Sequence, residues 1–192
     1  MFPTFLFVHD HPDPTLINEQ LTQFSFAARA ADPTGRAISS RGGWQSHPDM
    51  GQRAELQPLI GFIADTIGRV KIYLDIDARF DLQVSDMWLN INGKGSYNTP
   101  HIHGNTFFSG VYYVKTHEGC GQIHFHEPSS IREYHCPPYA QITPRNCFVQ
   151  QCAAQPGRLC IFPAYLPHEV TENTADDERI SVAFNIAGVM KG

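Results

Sequence analysis

Arg179-Ile180-Ser181-Val182-Ala183-Phe184-Asn185-Ile186-Ala187 alternates between two kinds of side chain from its first residue. Successive side chains of a strand point to opposite sides of a sheet, so residues two apart share a face. One face carries Ile180, Val182, Phe184 and Ile186; the other carries Arg179, Ser181, Ala183 and Asn185. In Asp86–Asn92, Met87, Leu89 and Ile91 oppose Asp86, Trp88, Asn90 and Asn92 in the same way. In Ser109–Lys115, Gly110, Tyr112 and Val114 oppose Ser109, Val111 and Tyr113. Each strand thus has an apolar face for packing and a face with a few polar groups. Further strands are expected at Leu82–Asn92, Phe107–Lys115, Gln122–His126, Phe148–Cys152, Arg158–Pro163 and His168–Glu172, broken by Gly, Pro and Asn. Many short strands without helices between them predict a sandwich or barrel.

Upstream the period changes. Asp13-Pro14 offers a cap and a first-turn proline, and Ile17, Leu21, Phe24 and Ala28 follow at helical spacing. That helix should stop near Asp32-Pro33-Thr34-Gly35. A second starts near Pro58, carries Leu59, Ile60, Ile63, Ile67 and Val70 on one face, and ends near Tyr73. Ala37 to Gly51 reads as loop. The expectation is a mainly β chain: a double-stranded β-helix, or jelly-roll, cupin-like barrel with an N-terminal helical layer. It reads as a single domain, 1–80 giving helical support and 81–190 the jelly-roll core.

Composition narrows the setting. The chain has 192 residues, enough to bury a core. Apolar residues are 42% and charged residues 17%, which excludes a disordered, highly charged class. Net charge is -5 and there is no Lys/Arg run, so neither a nucleic acid nor an anionic membrane surface is an expected partner. The apolar start Met1–Val8 is short and lacks the positive region of a secretory signal. Five cysteines without C-x-x-C fit reduced thiols, hence a cytoplasmic location, with none catalytic. A homodimer is compatible with these features, and the substrate, small molecule or peptide, is not legible.

Asn98-Thr99-Pro100-His101-Ile102-His103-Gly104 is the main chemical signal. H-x-H at the mouth of a strand puts two imidazoles on one side, close enough to share a metal ion. Gly157-Arg158-Leu159-Cys160-Ile161-Phe162-Pro163 leads through a turn to His168, the third candidate ligand. Three protein ligands leave positions open for substrate or water, as in a catalytic site. His124-Phe125-His126 is a second H-x-H, ranked lower because no downstream histidine matches it. His9, His11, His47, His117 and His135 read as surface residues. Arg179 offers a planar fork for a carboxylate, and an inward arginine needs an anion. Ser181 and Tyr113 could donate to that carboxylate. The alternative is a surface ion pair of Arg179 with Asp176, Asp177 or Glu178. The loop Pro128–Asn146 is expected to shape the entrance.

The order Trp88-Leu89-Asn90-Ile91-Asn92, H-x-H, Ser109-Gly110-Val111-Tyr112-Tyr113, Gly157 to Pro163 with His168, then Arg179 to Asn185 resembles the 2-oxoglutarate/Fe(II) oxygenases of the double-stranded β-helix type. The similarity is greatest to a bacterial and phage subfamily and spans Asp86 to Asn185. It implies Fe(II) and 2-oxoglutarate as cofactors, with His101 and His168 as iron ligands. His103 stands where most of the superfamily has Asp or Glu, and Gly104 where the subfamily has Pro. Arg179 would hold the distal carboxylate of 2-oxoglutarate, with Ser181 and Tyr113 assisting, and Asn90 or Asn92 near the metal. Three histidines also suit a zinc hydrolytic site, and the region through His168 and Asn173 also resembles a cupin motif. A cupin-type dioxygenase or isomerase without 2-oxoglutarate, and a non-catalytic metal-binding jelly roll, therefore stay open at this stage.

Overall fold

The computed structural model describes residues 4–191; Met1–Pro3, the first part of the apolar start, lie outside them. In chain order the elements are β1 (Phe7–Asp10), α1 (Thr15–Ala31), β2 (Ser40–Arg41), β3 (Trp44–Gln45), α2 (Gln57–Tyr73) and β4 (Phe80–Asn92). There follow β5 (Tyr97–His101), β6 (Phe108–Lys115), β7 (Ile123–His126), α3 (Ser130–Tyr134), β8 (Val149–Cys152), β9 (Arg158–Pro163), β10 (His168–Val170) and β11 (Arg179–Met190). Two 3-10 turns, Met50–Gln52 and Ala54–Leu56, lead into α2.

The strands form two antiparallel sheets, ordered β1-β9-β6-β11-β4-β3 and β2-β5-β10-β7-β8. Chain neighbours are rarely sheet neighbours, which is the signature of a jelly roll rather than a meander. The expected mainly β, double-stranded β-helix barrel is what the chain forms. The apolar faces read from the sequence turn outward onto the helices. Ile17 and Leu21 of α1, with Leu59, Ile63, Ile67 and Val70 of α2, pack on Met87, Leu89, Ile91, Tyr112, Val182 and Phe184. Tyr112 donates its hydroxyl to Asn18 Oδ1 at 2.8 Å, fixing α1 to β6. The opposite face of the first sheet, with its few polar groups, looks into the barrel toward the second sheet. A smaller cluster of Ile123, Phe125, Cys152, Cys160, Phe162 and Leu166 closes the space between the sheets.

Several boundaries differ from the sequence expectation. Pro14 takes the position just before α1, and Asp13 Oδ1 accepts from the Thr15 backbone N–H at 3.4 Å, so the start lies one residue later. The first 80 residues are not only helical support, because β1 and β3 join the first sheet and β2 the second. The stretch 37–51 holds β2 and β3, two residues each, too short to show a period. The sequence pattern hides β5 because it contains Pro100, which has no backbone N–H for a ladder. Its pairing to β10 slips between His168↔His101 and Val170↔Asn98, and Pro100 sits at that irregularity. Among the described residues no helix is long and apolar enough to cross a membrane.

Gly110 of β6 shows how tightly neighbouring strands of the first sheet pack. A Cβ there would lie 2.3 Å from Phe184 Cζ and 3.0 Å from the Cys160 carbonyl oxygen. Phe184 is fully buried and cannot swing away. Overpacking costs roughly 1–3 kcal/mol, against a gain of roughly 0.5–1 kcal/mol from losing glycine's chain entropy. Gly110→Ala should therefore destabilise the protein, read as a lower urea midpoint with an unchanged slope.

Candidate metal centre

Sheet pairing brings the three predicted ligands together. His101 closes β5 and His168 opens β10, and the two are direct partners across the antiparallel pair. His103 lies just past β5, where its backbone N–H donates to the Ala164 carbonyl at 2.9 Å. The candidate ligand atoms of His101, His103 and His168 all lie within 4.8 Å of one another. His103 Nε2 is 3.3 Å from His168 Nε2.

Backbone carbonyls fix two of the rings. His101 Nδ1 is 2.7 Å from the Thr99 oxygen and His168 Nδ1 is 2.9 Å from the Leu166 oxygen. A carbonyl can only accept, so Nδ1 carries the proton in both and each Nε2 turns a lone pair to the common point. Aromatic walls hold the rings. Phe162 meets His168 edge-on at 4.6 Å, and Trp88 stacks against His103 at 5.9 Å. Burial pushes all three pKa values down, His168 to about 3 and His103 to about 4, with the neighbouring His101 adding to both. The set is therefore neutral near pH 7, the form that binds metal. The rival pair behaves differently: Ile123 and Phe125 of β7 point inward, leaving His124 and His126 on the other face. His126 Nε2 lies 3.2 Å from Glu169 Oε1, outside the triad.

The histidines share a cavity of about 60 Å³ with Asn90, Tyr113, Arg179 and Ser181. Ser181 of β11 is in register with Asn90 of β4 on one side and Tyr113 of β6 on the other. These three strands thus lay a row of polar side chains across the barrel floor, with Arg179 one step along the same face. Arg179 is 1% exposed, and its Nη1 donates to the Cys120 carbonyl. Burial lowers its pKa. No carboxylate pairs with it among the described residues. The surface ion-pair alternative fails because Asp176 pairs with Lys94, Asp177 with Lys115 and Glu178 with Arg29. The Tyr113 hydroxyl and Asn90 Oδ1 are buried without hydrogen-bond partners, and burial raises the Tyr113 pKa. Asn92, the other candidate beside the metal, is not on this cavity wall; its backbone oxygen accepts from Asn173 Nδ2 at 2.9 Å.

Two features escaped the sequence reading. Gly121, at φ +79°, makes room for the arginine: a Cβ there would lie 2.9 Å from Arg179 Nη1 and 2.2 Å from the Thr171 oxygen. Only the mutual position of two distant segments reveals that need. Second, among the described residues the loop Pro128–Asn146, expected to shape the entrance, lines neither cavity beside the histidines. It borders another cavity through Pro128, Arg132 and Arg145. A space of about 400 Å³ adjoining His101 and His103 is instead walled by Gln45 and Pro48 from the stretch read as loop and by Arg36 just before it, together with Asp86 and Trp88.

These residues fit a three-histidine metal site facing an anion anchor. A buried cation without a counter-ion, beside a hydroxyl without a partner, is the environment a ligand carboxylate would satisfy. The family model for 2OG-Fe(II) oxygenases matches residues 86–185. No curated protein matches the chain significantly. Among solved structures, a Pseudomonas putida prolyl-4-hydroxylase is similar at TM-score 0.68 and 15% identity, over 98% of this chain and 94% of that one. A Trichoplax adhaerens prolyl hydroxylase, solved with a hypoxia inducible factor peptide fragment, is similar at TM-score 0.66 and 13% identity, over 95% and 83%. The viral collagen prolyl hydroxylase of Paramecium Bursaria Chlorella virus-1, in its 2OG complex, is similar at TM-score 0.63 and 11% identity, over 95% of each chain.

Proposed function

The chain belongs to the 2OG-Fe(II) oxygenase family, and we propose that His101, His103 and His168 hold its iron while Arg179 anchors its 2-oxoglutarate. It is a 2-oxoglutarate/Fe(II)-dependent oxygenase, and its cofactors are Fe(II) and 2-oxoglutarate. One observation carries the residue assignment: a fully buried arginine, paired with no carboxylate among the described residues, lines the same cavity as three convergent imidazoles.

When held by these residues, Fe(II) and 2-oxoglutarate would supply the oxidising power for oxygenation, 2-oxoglutarate being consumed to succinate and carbon dioxide. The protein's contribution is binding, orientation and exclusion of water. The Thr99 and Leu166 carbonyls keep His101 and His168 in the tautomer that presents Nε2. Three neutral imidazoles cancel none of the metal's double charge, so the site favours a doubly charged anion over a neutral ligand. Arg179 receives the far carboxylate as a fork, and Tyr113 and Ser181 offer it hydroxyl donors. Asn90 lines the same space, and its side-chain oxygen is buried without a hydrogen-bond partner. Phe162, Val111, Ile123 and Ala183 complete an apolar wall. Asp86 and Asn185, farther along the same faces, look toward the larger adjoining space where substrate would enter. A cytoplasmic setting is part of this reading, supported by the odd number of cysteines.

Purified protein should convert 2-oxoglutarate to succinate with Fe(II) present, stop on chelation, and not resume with Zn(II). Succinate formation supported equally by Zn(II), or none under aerobic Fe(II), would count against the reading.

A further inference from the structure

The larger space beside the metal centre carries charges that the oxygenase reading leaves unused. Asp86 supplies the lone carboxylate among the described residues lining either cavity. Its Oδ2 accepts from Ser85 Oγ at 3.1 Å and Asn185 Nδ2 at 3.3 Å, and no cationic side chain among the described residues pairs with it. Asn185 is itself fixed, because its Oδ1 accepts from Ser109 Oγ at 2.8 Å. The carboxylate is thus held by neutral donors, with no cationic partner among the described residues.

The other end of the space is complementary. Gln45 is 6% exposed, lines the wall, and its Oε1 has no hydrogen-bond partner. Arg36 lies beside it, its backbone N–H donating to the Gln45 oxygen at 2.8 Å. Arg36 lines the same wall, and its guanidinium has no hydrogen bond or ion pair among the described residues. Gln45 is in register with Asn90 of β4, and farther along the Met87 N–H donates to the Pro48 oxygen. The Gln45–Pro48 stretch therefore runs beside β4 from the Asn90 end toward the Asp86 end. Four strand residues span about 13 Å at roughly 3.3 Å each. Trp88 lies midway on the same face, against His103.

We propose that the substrate is an elongated zwitterion, of the size of a short peptide with free ends, whose ammonium group meets Asp86 and whose acid group meets Arg36. The inference rests on the oxygenase reading above and adds its substrate class. The charges of an α-amino acid head group lie within one residue of each other and cannot reach both poles. An extended chain of three to four residues, at roughly 3.3–3.6 Å each, can. Gln45 Oε1 then accepts a backbone N–H of that chain. Trp88 supports its middle, so oxidation falls on an internal carbon beside His101 and His103 rather than at either end.

The test uses protein loaded with Co(II) and 2-oxoglutarate, which does not turn over. An equimolar tripeptide pool should raise its unfolding midpoint. The same pool N-acetylated, or converted to C-terminal amides, should bind about tenfold more weakly or worse, one charge-assisted contact being lost. Asp86→Asn should erase the penalty of acetylation and Arg36→Gln the penalty of amidation. Binding indifferent to both caps overturns the proposal, as does failure of every peptide pool to bind protein that still responds to 2-oxoglutarate. A change confined to metal or 2-oxoglutarate affinity in Asp86→Asn, with the cap penalty intact, overturns it too and makes Asp86 a screening charge. If 2-oxoglutarate itself produces no shift, the oxygenase reading fails first and the substrate proposal falls with it.

Discussion

Arg179→Met should raise the dissociation constant for 2-oxoglutarate by roughly 30- to 4,000-fold, since losing one partner of a buried, hydrogen-bonded charge pair costs about 2–5 kcal/mol and each ~1.4 kcal/mol is tenfold. Fe(II) affinity should stay within a few-fold of wild type, because the arginine touches neither of the hydrogen bonds that fix the His101 and His168 rings. The protein without co-substrate should respond in the opposite direction. There the guanidinium is buried with a backbone carbonyl as its hydrogen-bond partner and no counter-ion. Replacing a buried ion by an apolar side chain of similar volume is neutral or stabilising, by up to ~1–4 kcal/mol. Leaving the Cys120 carbonyl without its donor takes back about 1–3 kcal/mol, so the net gain is small. The unfolding midpoint of the apoprotein should thus stay level or rise slightly, while the upshift on adding 2-oxoglutarate disappears. Thermal unfolding with and without the co-substrate reads both. An undiminished upshift in Arg179→Met rejects this residue as the anchor.

What made that residue visible in the sequence was the period of β11, nine residues long as read and twelve in the fold. A long alternating strand declares its faces, and α1 and α2 declared theirs by helical spacing. β2, β3 and β5 were silent for local reasons: two strands of two residues, and a third interrupted by Pro100. The histidines were legible as types at a spacing, yet their convergence depends on β5 pairing with β10, more than sixty residues later. Nothing local distinguishes His103 from His126; strand alternation does so only after the register is known. The same holds for Asn90 and Asn92, which share a strand face but not the cavity. Arg36, Gln45 and Gly121 sit where the chain has no period, so their roles follow from packing between segments and from nothing in their own neighbourhood.

His168→Asn should abolish stoichiometric metal binding and all succinate formation while leaving the fold close to intact. The choice of asparagine isolates the ligand atom. Its amide can donate to the Leu166 oxygen as the Nδ1–H of His168 does at 2.9 Å, but it has nothing where Nε2 stood. The ring is 4% exposed and packs against Phe162 and Phe125, so alanine would confound metal loss with a cavity. Disturbing only the groups that orient a metal-bound histidine costs about 10- to 100-fold in affinity. Removing one of three donors should cost more than about 100-fold by that measure. His126→Asn is the matched control: same substitution, same histidine motif type, but a side chain on the outer face of β7 beside Glu169. Metal content per chain after dialysis, with the Co(II) absorption spectrum, separates the two variants. One metal retained in His168→Asn and lost in His126→Asn would move the centre to the other histidine pair. It would also detach Arg179 from the chemistry, since the anchor and the metal would no longer face one cavity.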